Sequence, residues 1–211
     1  MIQAIFFDLD GVLVDAADLH YEALNRALRN VANYEISRVD HLERFNGLPT
    51  RDKLVKLVAD GVVQREQLAP IGSLKQIYIQ ALASQHIWPD SEKVEMCKAL
   101  GRKYTLVVVS NCVRQSVEML LNLAGIRNYF FWCYSNQDVP LAKPNPAIYQ
   151  YALSQTRFRS ENVLAVEDHE RGVEAAREAG VHVVQLQYPQ VTYVAIMDAI
   201  EALDSLDERK M

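Results

Sequence analysis

Residues 3–20 read QAIFFDLDGVLVDAADLH, and the fold turns on what this stretch is. Ile5, Phe6, Phe7 and Leu9 make an apolar run suited to a buried strand, yet Asp8 and Asp10 interrupt it and Gly11 follows at once. Burying an ionised carboxylate is costly unless a cation, a partner charge or several donors compensate. Residues two apart in an extended segment share a side, so Asp8 and Asp10 point the same way. Something has to meet them there.

Outward from this stretch, four more short apolar runs follow: TLVVVSN, YFFWCYS, VLAVED and VHVVQL. They are rich in β-branched or aromatic residues and largely continuous, as expected of strands covered on both faces. Helical patterns lie between the later runs. CVRQSVEMLLNLAG closes on Gly125 and HERGVEAAREAG on Gly180, both suited to the position after a helix. NPAIYQYALSQ opens with Asn145 as a helix cap and Pro146 in the first turn. Strands alternating with such helices predict α/β architecture, a Rossmann-like doubly wound parallel sheet.

The alternation breaks once. Residues 16–86 carry only helical patterns, with Leu24, Leu28 and Val31 at helical spacing, which predicts a small all-helical domain inserted into a core made of 1–15 and 87–211. Gly47-Leu48-Pro49, Gly61 and Gly72 are expected to divide the insert into short helices. The final SLDERKM is expected to fray. A net charge of −5 without a basic stripe argues against nucleic acid as a partner. No apolar run is long enough for a bilayer and no basic leader precedes the first strand, so neither membrane nor export is expected. Cys97, Cys112 and Cys133 lack metal-ligand spacing and read as reduced thiols of a cytoplasmic protein.

Polar residues gather at the ends of three runs: Asp8 and Asp10, then Ser110 and Asn111, then Glu167 and Asp168. Ligands of open α/β sheets bind outside the carboxyl ends of the strands, so these groups converge on one edge. Lys143 enters from the loop before a fourth element, within AKPNPAIY. Each signal has a plainer explanation when taken singly. Asp8 to Gly11 could be a turn, Ser110-Asn111 a helix cap, Lys143 a solvated charge, and Glu167-Asp168 a pair favoured by a helix dipole. An EF-hand fails, because the loop glycine and the closing glutamate would be Leu13 and Leu19. All four signals in order, each beside a strand end, favour a site.

FDLDGVLVD, VVVSN, AKPNPAIY and VEDHERGVEAAREAG together resemble the four motifs of the haloacid-dehalogenase superfamily, in the branch with a small helical cap that includes β-phosphoglucomutase and sugar-phosphate phosphatases. The resemblance implies that Asp8 is a nucleophile forming an aspartyl-phosphate and Asp10 the general acid and base. It implies Mg²⁺ on Asp8, the Asp10 carbonyl and Asp168, with Glu167 as a weaker contact. Ser110, the Asn111 backbone and Lys143 would bind the phosphoryl group. His169 stands where many relatives have Ser, Ala16 where Ser or Thr is frequent, and WPDSEKV where Pro-Gly is common.

On the insert, His20 matches a histidine seen in the mutase and in many phosphatases, and Arg51 and Lys75 are candidates to reach substrate; a hinge hydrogen bond and solvated charges are the plainer roles. Cys112 is expected to begin the next helix, and Phe130, Phe131 and Trp132 to be strand and core. The expectation is a Mg²⁺-dependent phosphatase of small phosphorylated metabolites, a monomer or homodimer. A phosphomutase is the alternative, and a non-catalytic scaffold a further one. A dehalogenase would need neither Asp10 nor the acidic pair.

Overall fold

The computed structural model describes residues 1–208. The chain divides into two compact units, Ala16–Ile87 and the remainder on either side of it.

The larger unit is built on a five-stranded sheet, all pairs parallel: β1 (Ala4–Phe7), β2 (Thr105–Val109), β3 (Trp132–Tyr134), β4 (Val163–Glu167) and β5 (His182–Gln185). All four residues of β1 are completely buried, which is why that strand reads as an unbroken apolar run. The order is β3-β2-β1-β4-β5. From β1 the chain builds outward through β2 and β3, then returns to lay β4 and β5 on the other side. The direction reverses between β1 and β4, and the crevice outside the strand ends at such a reversal is where open parallel sheets bind ligands.

The smaller unit holds α1 (Ala17–Ala32), α2 (Arg38–Asp40) running into a π turn at His41–Phe45, α3 (Thr50–Ala59) and α4 (Leu68–His86). Leu24, Leu28, Leu54, Leu57 and Ile71 share one core with Phe45. Buried Asn25 ties down the loop after α1: its amide donates to the Ile36 carbonyl and its carbonyl accepts from the Ile36 N–H, both at 3.0 Å. Gly72 does not divide this unit; it lies inside α4. Pro70 falls in the first turn of that helix, where backbone N–H groups have no intrahelical partner, so the helix tolerates both residues.

The larger unit continues with α5 (Ser91–Gly101), α6 (Arg114–Leu123), α7 (Ala147–Thr156), α8 (Glu170–Glu178) and α9 (Tyr193–Glu208). Ala4 and Phe6 face α7 and α8 through Ile148, Ala152, Ala175 and Ala176. On the opposite face Phe7 meets Phe130 edge-on at 5.9 Å. Residues 205–208 of the expected frayed tail continue α9, and 209–211 lie outside the described residues. Only Phe130 of the aromatic cluster is core. Phe131 and Trp132 are 74% and 37% exposed, because β3 is a three-residue edge strand with nothing paired beyond it among the described residues.

Candidate active site

Asp8 sits one residue past β1, and its N–H donates to the Val166 carbonyl at 2.9 Å, extending the ladder to β4. The chain then turns tightly: the Leu9 carbonyl accepts from the N–H groups of Leu13 and Val14, and Gly11 donates to the Val14 carbonyl. Gly11 has φ +79°, and a Cβ there would overlap the carboxylate of Asp168. Glycine is therefore required twice at this position, for the turn and for the approach of Asp168.

Past β2, Ser110 is buried and its hydroxyl accepts from the Cys112 N–H at 3.0 Å. Cys112 does not begin α6. It lies in the connecting loop, where its thiol donates to Asp10 Oδ2 at 2.9 Å. The Asn111 side chain brackets the lysine loop, accepting from the Lys143 N–H at 3.0 Å and donating to the Lys143 carbonyl at 3.3 Å.

Lys143 is 3% exposed, and its ammonium has three acceptors for its three N–H bonds: Asp8 Oδ1 at 2.8 Å, Glu167 Oε1 at 2.5 Å and the Val109 carbonyl at 2.7 Å. Burial opposes the charged form, but Asp8 and Glu167 outweigh it and push the Lys143 pKa up. Glu167, at the end of β4, is 1% exposed and also accepts from the Tyr149 hydroxyl. Gly172 in α8 makes room for it, since a Cβ there would overlap the Glu167 carboxylate. His169 caps α8, its Nδ1 accepting from the Arg171 N–H at 3.2 Å, a role that a Ser hydroxyl can also fill. Burial, then the Arg171 charge, lower the His169 pKa, which keeps that ring nitrogen an acceptor.

One oxygen each from Asp8, Glu167 and Asp168 lies within 4.8 Å of the others. Crowding acids in a buried crevice disfavours ionisation: burial first, with the Asp8 charge adding to it, raises Asp168 to about 7. Burial pushes Glu167 up, opposed by the Lys143 ammonium that favours its charged form, and Asp8 is raised by burial as well. Carboxylate oxygens held together against their own repulsion suit a small hard divalent cation such as Mg²⁺.

In the smaller unit, His20 on α1 and Lys75 on α4 meet, the Lys75 ammonium donating to His20 Nδ1 at 2.8 Å. Arg51 lies on α3, its guanidinium 3.2 Å from Asp52. The sequence reading passed over Tyr149 and Gly172. Both sit inside patterns that also read as ordinary helix.

The family model for haloacid dehalogenase-like hydrolases matches residues 5–186. The chain belongs to that family. It is an enzyme, a hydrolase of the phosphatase kind. It is 28% identical to the phosphorylated carbohydrates phosphatase of Thermotoga maritima, over 85% of this chain and 82% of the relative. It is also 28% identical to the pyrophosphatase PpaX of Oceanobacillus iheyensis, over 85% and 81% of the two chains. Among solved structures, CbbY from Rhodobacter sphaeroides in complex with phosphate superposes with a TM-score of 0.79 at 25% identity, covering 89% of this chain and 87% of that one.

Proposed function

We propose that this hydrolase releases inorganic phosphate from small phosphorylated metabolites, sugar phosphates foremost, in a Mg²⁺-dependent reaction through an aspartyl-phosphate on Asp8. The observation that carries this reading is the buried Lys143 ammonium bound to Asp8 Oδ1 while Asp168 crowds the same crevice. Such a lysine orients a carboxylate and offsets charge that gathers on a transferring phosphoryl group.

Asp8, Asp168 and the Asp10 carbonyl would hold Mg²⁺, with Glu167 the weaker contact because its Oε1 already accepts from Lys143 and Tyr149. The cation supplies charge neutralisation and a fixed orientation for the phosphoryl oxygens. An Asp8 oxygen attacks phosphorus, the bond to the leaving oxygen breaks, and Asp10 gives that oxygen its proton. Asp10 then takes a proton from water as the water oxygen attacks phosphorus, freeing Asp8 and phosphate. The Ser110 hydroxyl and the Asn111 N–H donate to the phosphoryl group. His20, Lys75 and Arg51, all in the smaller unit, are the candidates for reading the leaving group.

The likeness to the carbohydrate phosphatase of Thermotoga maritima supports the substrate class. No helix among the described residues is long and apolar enough to cross a membrane, and the three cysteines are free; a cytoplasmic enzyme, monomeric or homodimeric, fits both. A second reading, a phosphomutase, draws on the His20–Lys75 contact, since a histidine held by a lysine can couple closure to substrate.

The test is a panel of phosphate esters and diphosphates with Mg²⁺, Ca²⁺ or excess chelator. Phosphate release is expected with Mg²⁺, little with Ca²⁺ and none in chelator. Full activity in chelator would sink the metal dependence, and no turnover of any ester would sink the phosphatase. Phosphorus NMR on a hexose 1-phosphate with a trace of bisphosphate separates the rival: conversion to the 6-phosphate without free phosphate would replace the phosphatase with the mutase.

A further inference from the structure

Tyr149 on α7 is completely buried, and its hydroxyl donates to Glu167 Oε1, the same oxygen that receives the Lys143 ammonium. The Lys143 nitrogen also stands 5.2 Å from the centre of the Tyr149 ring. The rest of this helix face is Ile148 and Ala152, apolar residues that pack against the sheet. A phenylalanine would fill the ring's space equally well. The hydroxyl is what the sheet does not need and the carboxylate does: burying a phenol is costly unless its O–H finds an acceptor. Burial, and then the Glu167 charge, raise the Tyr149 pKa far enough that it remains a donor. On the carboxylate's other side, Gly172 leaves room for Glu167 and no more.

We propose that Tyr149 is a positioning residue for phosphoryl transfer: its hydroxyl fixes Glu167 as the counter-ion of Lys143, and Glu167 in turn holds the ammonium on Asp8. This rests on the phosphatase reading above, and it assigns Glu167 to Lys143 rather than to the cation. Glu167 Oε1 takes two donors, so the lysine cannot follow a rotating carboxylate away from Asp8. The chain from Tyr149 to Asp8 is continuous in hydrogen bonds, with no solvent-exposed link before Asp8 itself.

The perturbation is Tyr149→Phe, which keeps the ring and removes the donor. Turnover should fall about tenfold, the loss expected for a hydrogen bond to a charged group, while KM for the ester and half-saturation by Mg²⁺ stay within about twofold. Glu167→Gln should lower turnover at least as much, again with half-saturation by Mg²⁺ nearly unchanged. Adding Tyr149→Phe to Glu167→Gln should cost less than about twofold more, because the hydroxyl acts only through the carboxylate. A fully additive double variant, or a large rise in the Mg²⁺ requirement with Glu167→Gln, would overturn the proposal.

A second measurement does not depend on turnover. In metal-free protein, ¹⁵N-detected spectra of the lysine ammonium groups should show Lys143 as a slowly exchanging signal, and Tyr149→Phe should shift it and speed its exchange. An unchanged Lys143 signal in a folded Tyr149→Phe protein would refute the positioning role even if activity fell. A protein that hydrolyses no ester yet shows the shifted signal would lose the phosphatase reading and keep the Tyr149–Glu167–Lys143 linkage.

Discussion

Asp168 makes the fold's stability depend on pH in a direction opposite to that of most paired carboxylates. Burial and the Asp8 charge raise its pKa from the ordinary 3.8 to about 7 in the folded protein without metal. The folded state therefore keeps the proton where the unfolded chain has released it. The contribution is fully present below about pH 4 and is lost as pH climbs through about 7. At about 1.4 kcal/mol for each tenfold change in proton affinity, that rise corresponds to about 4 kcal/mol. Asp168 is only partly buried, and solvent screening at its open side reduces the figure to about 2 kcal/mol.

Asp168→Asn keeps the shape and removes the titration, so the difference in melting temperature between variant and parent isolates this group from other titrations. In chelator the two should melt together only near pH 4 and below, and the variant should melt about 4–8 °C higher near pH 8. Saturating Mg²⁺ should reverse the order, because a ligand at about 100 times its dissociation constant adds about 2.7 kcal/mol to the parent alone. Scanning calorimetry at half-unit pH steps in both buffers is the assay. A difference that stays flat from pH 5 to 8 in chelator would refute the charge crowding, and a variant stabilised by Mg²⁺ as much as the parent would remove Asp168 from the cation site.

Asp8→Asn should abolish both turnover and any acid-labile phosphoenzyme while leaving melting nearly unchanged, which gel autoradiography and calorimetry check together. Asp10→Asn should slow alkyl phosphates by about 10²-fold or more but spare p-nitrophenyl phosphate, whose leaving group needs little protonation; equal losses on both would make Asp10 structural. Gly172→Ala places a methyl against the Glu167 carboxylate, so it should lower turnover at least as much as Tyr149→Phe and destabilise the fold by about 1–3 kcal/mol in urea titrations. A neutral Gly172→Ala would mean that Glu167 has room to move.

The sheet was legible because its strands are buried on both faces, and that condition writes itself into sequence as short continuous runs such as Ala4–Phe7. Two helices of the larger unit were not read. In α5 the cap is carried by Asp90, whose side chain accepts from the Glu92 and Lys93 N–H groups, but Lys93 interrupts the stripe of Met96, Cys97 and Leu100 behind it. Lys93 itself is buried, its ammonium donating to the Val191 carbonyl at 2.7 Å, a tertiary contact that local periodicity does not register. Helix α9 opens with the Thr192 hydroxyl accepting from the Ala195 N–H, and its buried Ile196 and Ile200 recur at a helical spacing that the reading passed over. Phe131 and Trp132 failed the other way: apolar character says core, but strand order decides which strand is the edge, and order is not a local property.

For the site, ordered motifs were enough to nominate Asp8, Lys143 and Asp168, because each lies at or beside a strand end and parallel strands deliver their ends to one edge. What they do to one another was not legible. Glu167 and Asp168 are adjacent in sequence and both were expected on the cation, Glu167 the more weakly, yet successive residues leave a strand toward opposite faces. Glu167 turns inward to Lys143 and Tyr149 and is sealed by Gly172, whereas Asp168 turns to the open crevice against Gly11. The division follows from two glycines on separate elements, one in the turn after β1 and one in the first turn of α8. Each is positioned so that a methyl group would close the space one acid occupies. The identity of a glycine is visible in a sequence, but which side chain needs its missing Cβ is fixed only when the two elements pack. The same packing turns Tyr149 from one more apolar residue on α7 into the second donor on Glu167, beside the Lys143 ammonium that also binds Asp8.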